Sequence, residues 1–117
     1  MSGWIGVDLD GTLTHYDGWR GIEHIGEPVA PMLARVKAWV ERGVEVRIFT
    51  ARVSVGPGDR STMGREGVTE IIQDWLEKHG LPRLAVTNVK DFGMVELWDD
   101  RAIQVRMNTG EIVGGGI

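Results

Sequence analysis

The sequence contains no cysteine, which excludes a disulfide framework, a thiolate nucleophile and a cysteine-based zinc site. Basic residues are not in excess either: 13 Lys and Arg stand against 17 Asp and Glu, for a formal charge of −4 and a pI near 5.3. Domains that grip nucleic acid through bulk electrostatics are usually basic, so this balance disfavours such a surface and leaves room only for a local basic patch. No apolar run approaches the roughly 18 residues of a membrane span. The start, Met-Ser-Gly-Trp-Ile-Gly, lacks a basic region followed by a long apolar one. The expectation is a soluble, cytoplasmic protein without a membrane partner. A chain of 117 residues suits one domain, 1–117, with one site.

What is present centres on Val7-Asp8-Leu9-Asp10-Gly11-Thr12-Leu13, where an apolar run (Trp4, Ile5, Val7) ends in two carboxylates one residue apart. Side chains i and i+2 of a strand share a face, so Asp8 and Asp10 project together unless the chain turns, and Gly11 supplies the freedom to turn. Asp8 is therefore expected at the strand tip and Asp10 at the start of the loop.

Residues 4 to 8 read as a short buried strand, and 11 to 27 as a loop or small hairpin over its end. Pro28 and Pro31 announce a helix whose apolar face is Met32, Leu33, Val36, Trp39 and Val40, stopped near Gly43. Val44, Val46, Ile48 and Phe49 suit a strand ending at Thr50. From Ala51 to Gly67 the composition predicts a long loop, with Asp59-Arg60-Ser61 its mobile part. Val68, Ile71, Ile72, Trp75 and Leu76 predict a second helix, closed at His79-Gly80. Leu84 to Thr87 reads as a third strand, Asn88, Lys90 and Asp91 as a polar turn, and Met94 to Trp98 as a fourth strand ending in Asp99-Asp100. Residues 102 to 107 and 111 to 113 read as a terminal hairpin around Asn108-Thr109-Gly110, followed by a fraying glycine tail.

Strand, helix, strand, helix, strand is the pattern of an open α/β sheet with parallel strands, and ligands bind beyond the carboxyl ends of such strands. Asp8 and Asp10, Thr50, Lys90, and Asp99 with Asp100 fall at four strand ends. Carboxylates gathered there would repel one another without a cation, and hard oxygen ligands favour Mg²⁺. A lysine and a hydroxyl aimed at the same point suit a phosphoryl group, whose transfer depends mainly on positioning and charge neutralisation.

In order and kind, Asp8-Leu9-Asp10-Gly11-Thr12-Leu13, Thr50, Lys90 and Asp99-Asp100 resemble the four motifs of the haloacid dehalogenase-like phosphatase superfamily, over residues 4 to 100. The resemblance implies a small open Rossmann-like sheet, mainly parallel, of strand order 3-2-1-4-5, without a cap domain and with the C-terminal hairpin. It implies a Mg²⁺-dependent phosphatase in which Asp8 is the nucleophile that forms an aspartyl-phosphate and Asp10 the general acid/base. Thr50 and Lys90 become phosphate binders, with Leu9, Gly11 and Arg52 in the same set. Metal would be held by Asp8, by Asp10 through its backbone carbonyl, and by Asp99 directly with Asp100 in a water-mediated role, an order the sequence leaves reversible.

Phe49-Thr50-Ala51-Arg52 and Asp99-Asp100-Arg101, with the short segment after Lys90, are similar to the compact branch that includes the phosphatase domain of phage polynucleotide kinase. The expected substrate is a phosphorylated small molecule or nucleotide. A polynucleotide 3′-phosphatase is the alternative that the acidic charge disfavours, and a non-catalytic phosphate-sensing module is the alternative from another class. An uncapped site also leaves room for a homo-oligomer. Trp39 and Trp75 read as core, His79 as a helix-dipole partner, and His15 and His24 show no ligand spacing. Trp19, in the loop near the site, can contact a substrate.

Overall fold

Short apolar runs set the strands. In the computed structural model, which describes residues 2–54 and 63–114, β1 spans Trp4–Val7 and is buried at every position. Helix α1 follows at Ala30–Glu41 with Pro31 in its first turn, where the missing N–H costs nothing. Strand β2 is Glu45–Phe49, a short 3₁₀ turn covers Ala51–Val53, helix α2 is Gly64–Lys78, and β3 and β4 are Val86–Thr87 and Met94–Trp98. The four strands form one parallel sheet in the order β3-β2-β1-β4. No helix among the described residues is long and apolar enough to cross a membrane.

The order explains where the helices lie. Moving from β1 to β2 to β3 in one direction through right-handed crossovers puts both helices on the same face of the sheet. Ile5 and Val7 pair in register with Val46 and Ile48, so these four side chains share that face. They form one core with Met32 and Val36 of α1 and Val68, Ile72, Trp75 and Leu76 of α2. Trp39 packs edge-on against Trp98 of β4 at 5.2 Å between ring centres.

The return from β3 to β4 crosses the opposite face. It must pass three strand spacings of about 4.8 Å each and also run back along the strands. Residues 88–93, between Thr87 and Met94, reach roughly 20 Å when extended, whereas a helix of that length would span about 9 Å. The segment is accordingly a strap rather than the expected local polar turn. Asp91 accepts the Trp4 indole N–H at 2.8 Å and lies 3.5 Å from Arg47, whose guanidinium stacks 4.4 Å over the Trp4 ring. The Trp4 amide donates to the Gly93 carbonyl at 2.7 Å. A Cβ on Gly93 would lie 3.0 Å from the Trp4 ring, so the strap runs close beneath the indole.

Three sequence expectations need correction. The first four places of the order 3-2-1-4-5 stand, but no fifth strand joins the sheet among the described residues. Residues 101–112 are exposed throughout, so no face of this segment is buried to hold it in a ladder. In place of the expected terminal hairpin strands there is a single antiparallel bridge, Val105 to Ile112. Helix α2 begins at Gly64, inside the stretch expected to be loop, because its first turn lies outside the apolar periodicity that signals a helix. Asp59-Arg60-Ser61 lies outside the described residues, as does the end of the glycine tail.

Candidate active site

Four hydrogen bonds wind the chain after β1 around a single carbonyl. Leu9 O accepts the amides of Thr12, Leu13 and Thr14 and the Thr14 hydroxyl, at 3.0–3.3 Å. Leu9 and Leu13 are fully buried and anchor the coil in the core. Gly11 sits at φ +90° with its Cα against Asp100, where a Cβ would lie 2.7 Å from a carboxylate oxygen, so only glycine fits. Asp8 follows β1 directly, and its amide donates to Trp98 O at 2.9 Å, which sets it beside Asp99 at the end of β4.

Two side chains on this coil tie β1 to its neighbours. Thr12 Oγ1 accepts the Asp100 amide at 3.0 Å and lies 3.1 Å from Asp100 Oδ1 and 3.4 Å from Asp8 Oδ2, so its one proton serves the two carboxylates. Toward β2, Arg52 grips Asp10 with both Nε and Nη2, at 2.7 and 2.8 Å. The two acids of the motif therefore occupy different environments. Asp8 joins Asp99 and Asp100, and one carboxylate oxygen from each lies within 4.8 Å of the others. The Asp10 carboxylate is outside that cluster and paired with a cation.

The charges follow. Burial, then the hydrogen bond to Asp100 and the negative charges of Asp99 and Asp100, push the Asp8 carboxyl from 3.8 up to about 7, against only the Leu9 amide pulling down. No cation contributes to that balance. Asp100 moves the other way: burial raises it, but hydrogen bonds from Asp8 and Thr12 outweigh burial and hold it below the ordinary carboxylate value. Asp8 and Asp100 thus shift in opposite directions, and the positive charge that bears on the cluster, Arg101, acts through Asp100. The cluster's all-oxygen donor set and spacing fit a hard divalent cation.

Of the residues singled out in the sequence, the structure brings Asp8, Asp99 and Asp100 together, with Asp10, Thr50 and Arg52 beside them at the ends of β1 and β2. Thr50 is buried, and its Oγ1 accepts the Arg52 amide at 3.2 Å, leaving the hydroxyl proton uncommitted among the described residues. The Gly11 amide is spent on Thr14 O at 2.9 Å, and the Leu9 amide serves the Asp8 carboxylate. Between them, the Asp10 amide and carbonyl make no hydrogen bond among the described residues.

Lys90 is exposed on the strap, one residue before the Asp91 anchor, and its side chain makes no hydrogen bond or ion pair among the described residues. Sequence reasoning gave Thr12 no role of its own, although its place in the Asp-Gly-Thr run marked it. It also passed over Asn88, which bonds Ser54 and Arg65 at the end of β3.

Residues 13–29 form a flap, closed at its base by His15 N–H to Glu27 O and Val29 N–H to Leu13 O, both 2.8 Å. The flap holds a cleft of about 520 Å³ lined by His15, Tyr16, Arg20, His24 and Glu27.

No family model matches the chain, and no curated protein matches it. The fold is similar to the solved structure of a conserved protein from Bacteroides thetaiotaomicron, with a TM-score of 0.57 at 19% identity, over 87% of this chain and 78% of that one. A likeness at that identity speaks to the fold alone.

Proposed function

We propose that this chain is a Mg²⁺-dependent phosphohydrolase of the haloacid dehalogenase-like type, acting on a phosphorylated small molecule or nucleotide. The observation that carries the reading is the divergence of two carboxylates only two residues apart: Asp8 in a carboxylate cluster with Asp99 and Asp100, Asp10 held apart by Arg52. By environment alone the raised Asp8 carboxyl suits an acid and the arginine-paired Asp10 an ionised group; a divalent cation among Asp8, Asp99 and Asp100 would hold Asp8 ionised, as the nucleophile's role requires.

In this reading Asp10 first takes up a proton, since Arg52 holds it as a carboxylate; an Asp8 oxygen then attacks phosphorus, the bond from phosphorus to the leaving oxygen breaks, and Asp10 gives that proton to the leaving oxygen. Asp10 then takes a proton from water as the water oxygen attacks the aspartyl-phosphate, which releases inorganic phosphate and regenerates Asp8. Asp8, Asp99, Asp100 and the Asp10 carbonyl would hold the cation. When bound, it would neutralise charge on the transferring group. The Thr50 hydroxyl and the Asp10 amide are donors for phosphate oxygens.

The test is hydrolysis of a generic phosphate monoester with Mg²⁺. The wild type turns it over and Asp8→Asn, folded to the same extent, does not; a fully active Asp8→Asn would overturn the assignment. A phosphate-sensing domain is the second reading, in which the bidentate pairing with Arg52 keeps Asp10 permanently ionised. A phosphoenzyme that forms on Asp8 and persists for hours would decide for the sensor.

A further inference from the structure

Arg52 was expected to touch phosphate, yet its side chain is only 5% exposed and its donors are turned inward. Nε and Nη2 hold the two oxygens of Asp10. Nη1 donates to Ile22 O at 3.0 Å, and Nη2 also donates to His24 O at 2.8 Å. Four bonds from a planar group with five N–H donors leave little for a ligand. Trp19, on the outer part of the flap, lies with its ring 5.0 Å over the same guanidinium.

A guanidinium is rigid and flat, so acceptors bound along its edges are fixed relative to one another. Here those acceptors are the Asp10 carboxylate and two flap carbonyls. A cation this deeply buried is also held in place by its partners, because losing any of them leaves desolvated charge uncompensated. Displacing Ile22 and His24 therefore displaces Asp10. His24, whose carbonyl Arg52 holds, also lines the flap cleft.

We infer that Arg52 is a positioning residue that couples the flap, residues 13–29, to Asp10, so that the placement of the flap sets the placement of the proton donor. This inference rests on the phosphohydrolase reading above. It places Arg52 in the proton-transfer half of the reaction and outside phosphate binding.

The experiment measures first-turnover release of the leaving group, which isolates attack at phosphorus from later hydrolysis of the phosphoenzyme. Two esters are compared: p-nitrophenyl phosphate, whose leaving group departs without a proton, and glycerol phosphate, whose alkoxide needs one. For Arg52→Ala, release of glycerol falls by roughly 10²–10⁴-fold, the usual worth of acid catalysis, while release of p-nitrophenolate falls by less than about tenfold, in the same spirit. Inhibition by inorganic phosphate stays unchanged. Equal losses on both esters, or weakened phosphate inhibition, would overturn the inference.

Arg52→Lys guards against misfolding of the alanine variant, because it keeps the charge but cannot span Asp10 and both carbonyls. It should show the same imbalance between the esters. Amide hydrogen exchange separates this inference from the reading beneath it. If the wild type hydrolyses neither ester, the phosphohydrolase reading fails, and the coupling is then judged by whether Asp10→Ala accelerates exchange at His15 and Val29 at least tenfold. Unchanged exchange there would sink the coupling.

Discussion

The Thr12 hydroxyl and the Asp100 backbone amide are joined at 3.0 Å, which links the coil after β1 to the end of β4 across 88 residues of sequence. The same hydroxyl faces both Asp8 and Asp100 carboxylates. Thr12→Val removes these bonds at nearly constant volume, at a cost of about 1 kcal/mol in stability. It should also weaken Mg²⁺ binding measured by calorimetry, because Asp100 loses its orienting partner. Thr12→Ser should restore both. Wild-type metal affinity in Thr12→Val would show that Asp100 is held without it.

Asp8 makes the protein respond to pH in a particular direction. Its carboxyl holds a proton more tightly when folded, with a value near 7 against 3.8 ordinarily. Its contribution to stability is therefore complete below 3.8 and is lost as pH rises through about 7. Melting temperature in EDTA should fall over that window for the wild type. The fall should be smaller in Asp8→Asn, and added Mg²⁺ should offset it at neutral pH, since a ligand that binds only the folded state stabilises it. A melting profile identical in the two proteins would contradict the assignment of the shift.

Gly11 tests how tightly the coil is wound. A Cβ there meets the Asp100 carboxylate at 2.7 Å, and the backbone sits at φ +90°. Gly11→Ala should cost roughly 1–3 kcal/mol by strain alone, and it should displace Asp100 from the cluster. Calorimetric Mg²⁺ affinity and melting temperature should fall together. By contrast, Gly18→Ala, also at positive φ but with open space around it, should leave metal binding alone.

The strap offers a prediction remote from the site. Asp91 accepts from the Trp4 indole and the Gly93 amide and faces Arg47, and the indole bond, first among these, holds its carboxyl below the ordinary value of 3.8. Its stabilising contribution is present above 3.8 and lost as pH falls through the lower folded value. Asp91→Ala should lower the urea midpoint at pH 7 and be less sensitive to acid than the wild type. Asp91→Asn, which can still accept from Trp4, should sit between them. Equal acid sensitivity in Asp91→Ala and the wild type would refute the role of this carboxylate.

Much of this arrangement is legible in the sequence. Strand and helix positions followed from periodicity, and the grouping of Asp8, Asp99 and Asp100 followed from the rule that parallel strands present their carboxyl ends on one edge. The course of residues 88–93 was not legible in the same way: their polar composition reads as a turn at a strand end, whereas the short β3-to-β4 return must stretch across the sheet. The exposed segment 101–112 was also misleading, since alternating apolar residues read as strand whether or not a face is there to bury them.

The sequence by itself determined the local objects: an acid-bearing coil at the end of a buried strand, two amphipathic helices, and a second pair of acids after another apolar strand. Each depends on interactions a few residues apart, which spacing encodes directly. Only the tertiary structure decided which partner each acid receives. Asp8 and Asp10 differ by two positions but answer to Asp100, 92 residues on, and to Arg52, 42 residues on. Chain crossing and strand order bring those partners in, and the environment they create divides one motif into a member of a carboxylate cluster and an arginine-held carboxylate.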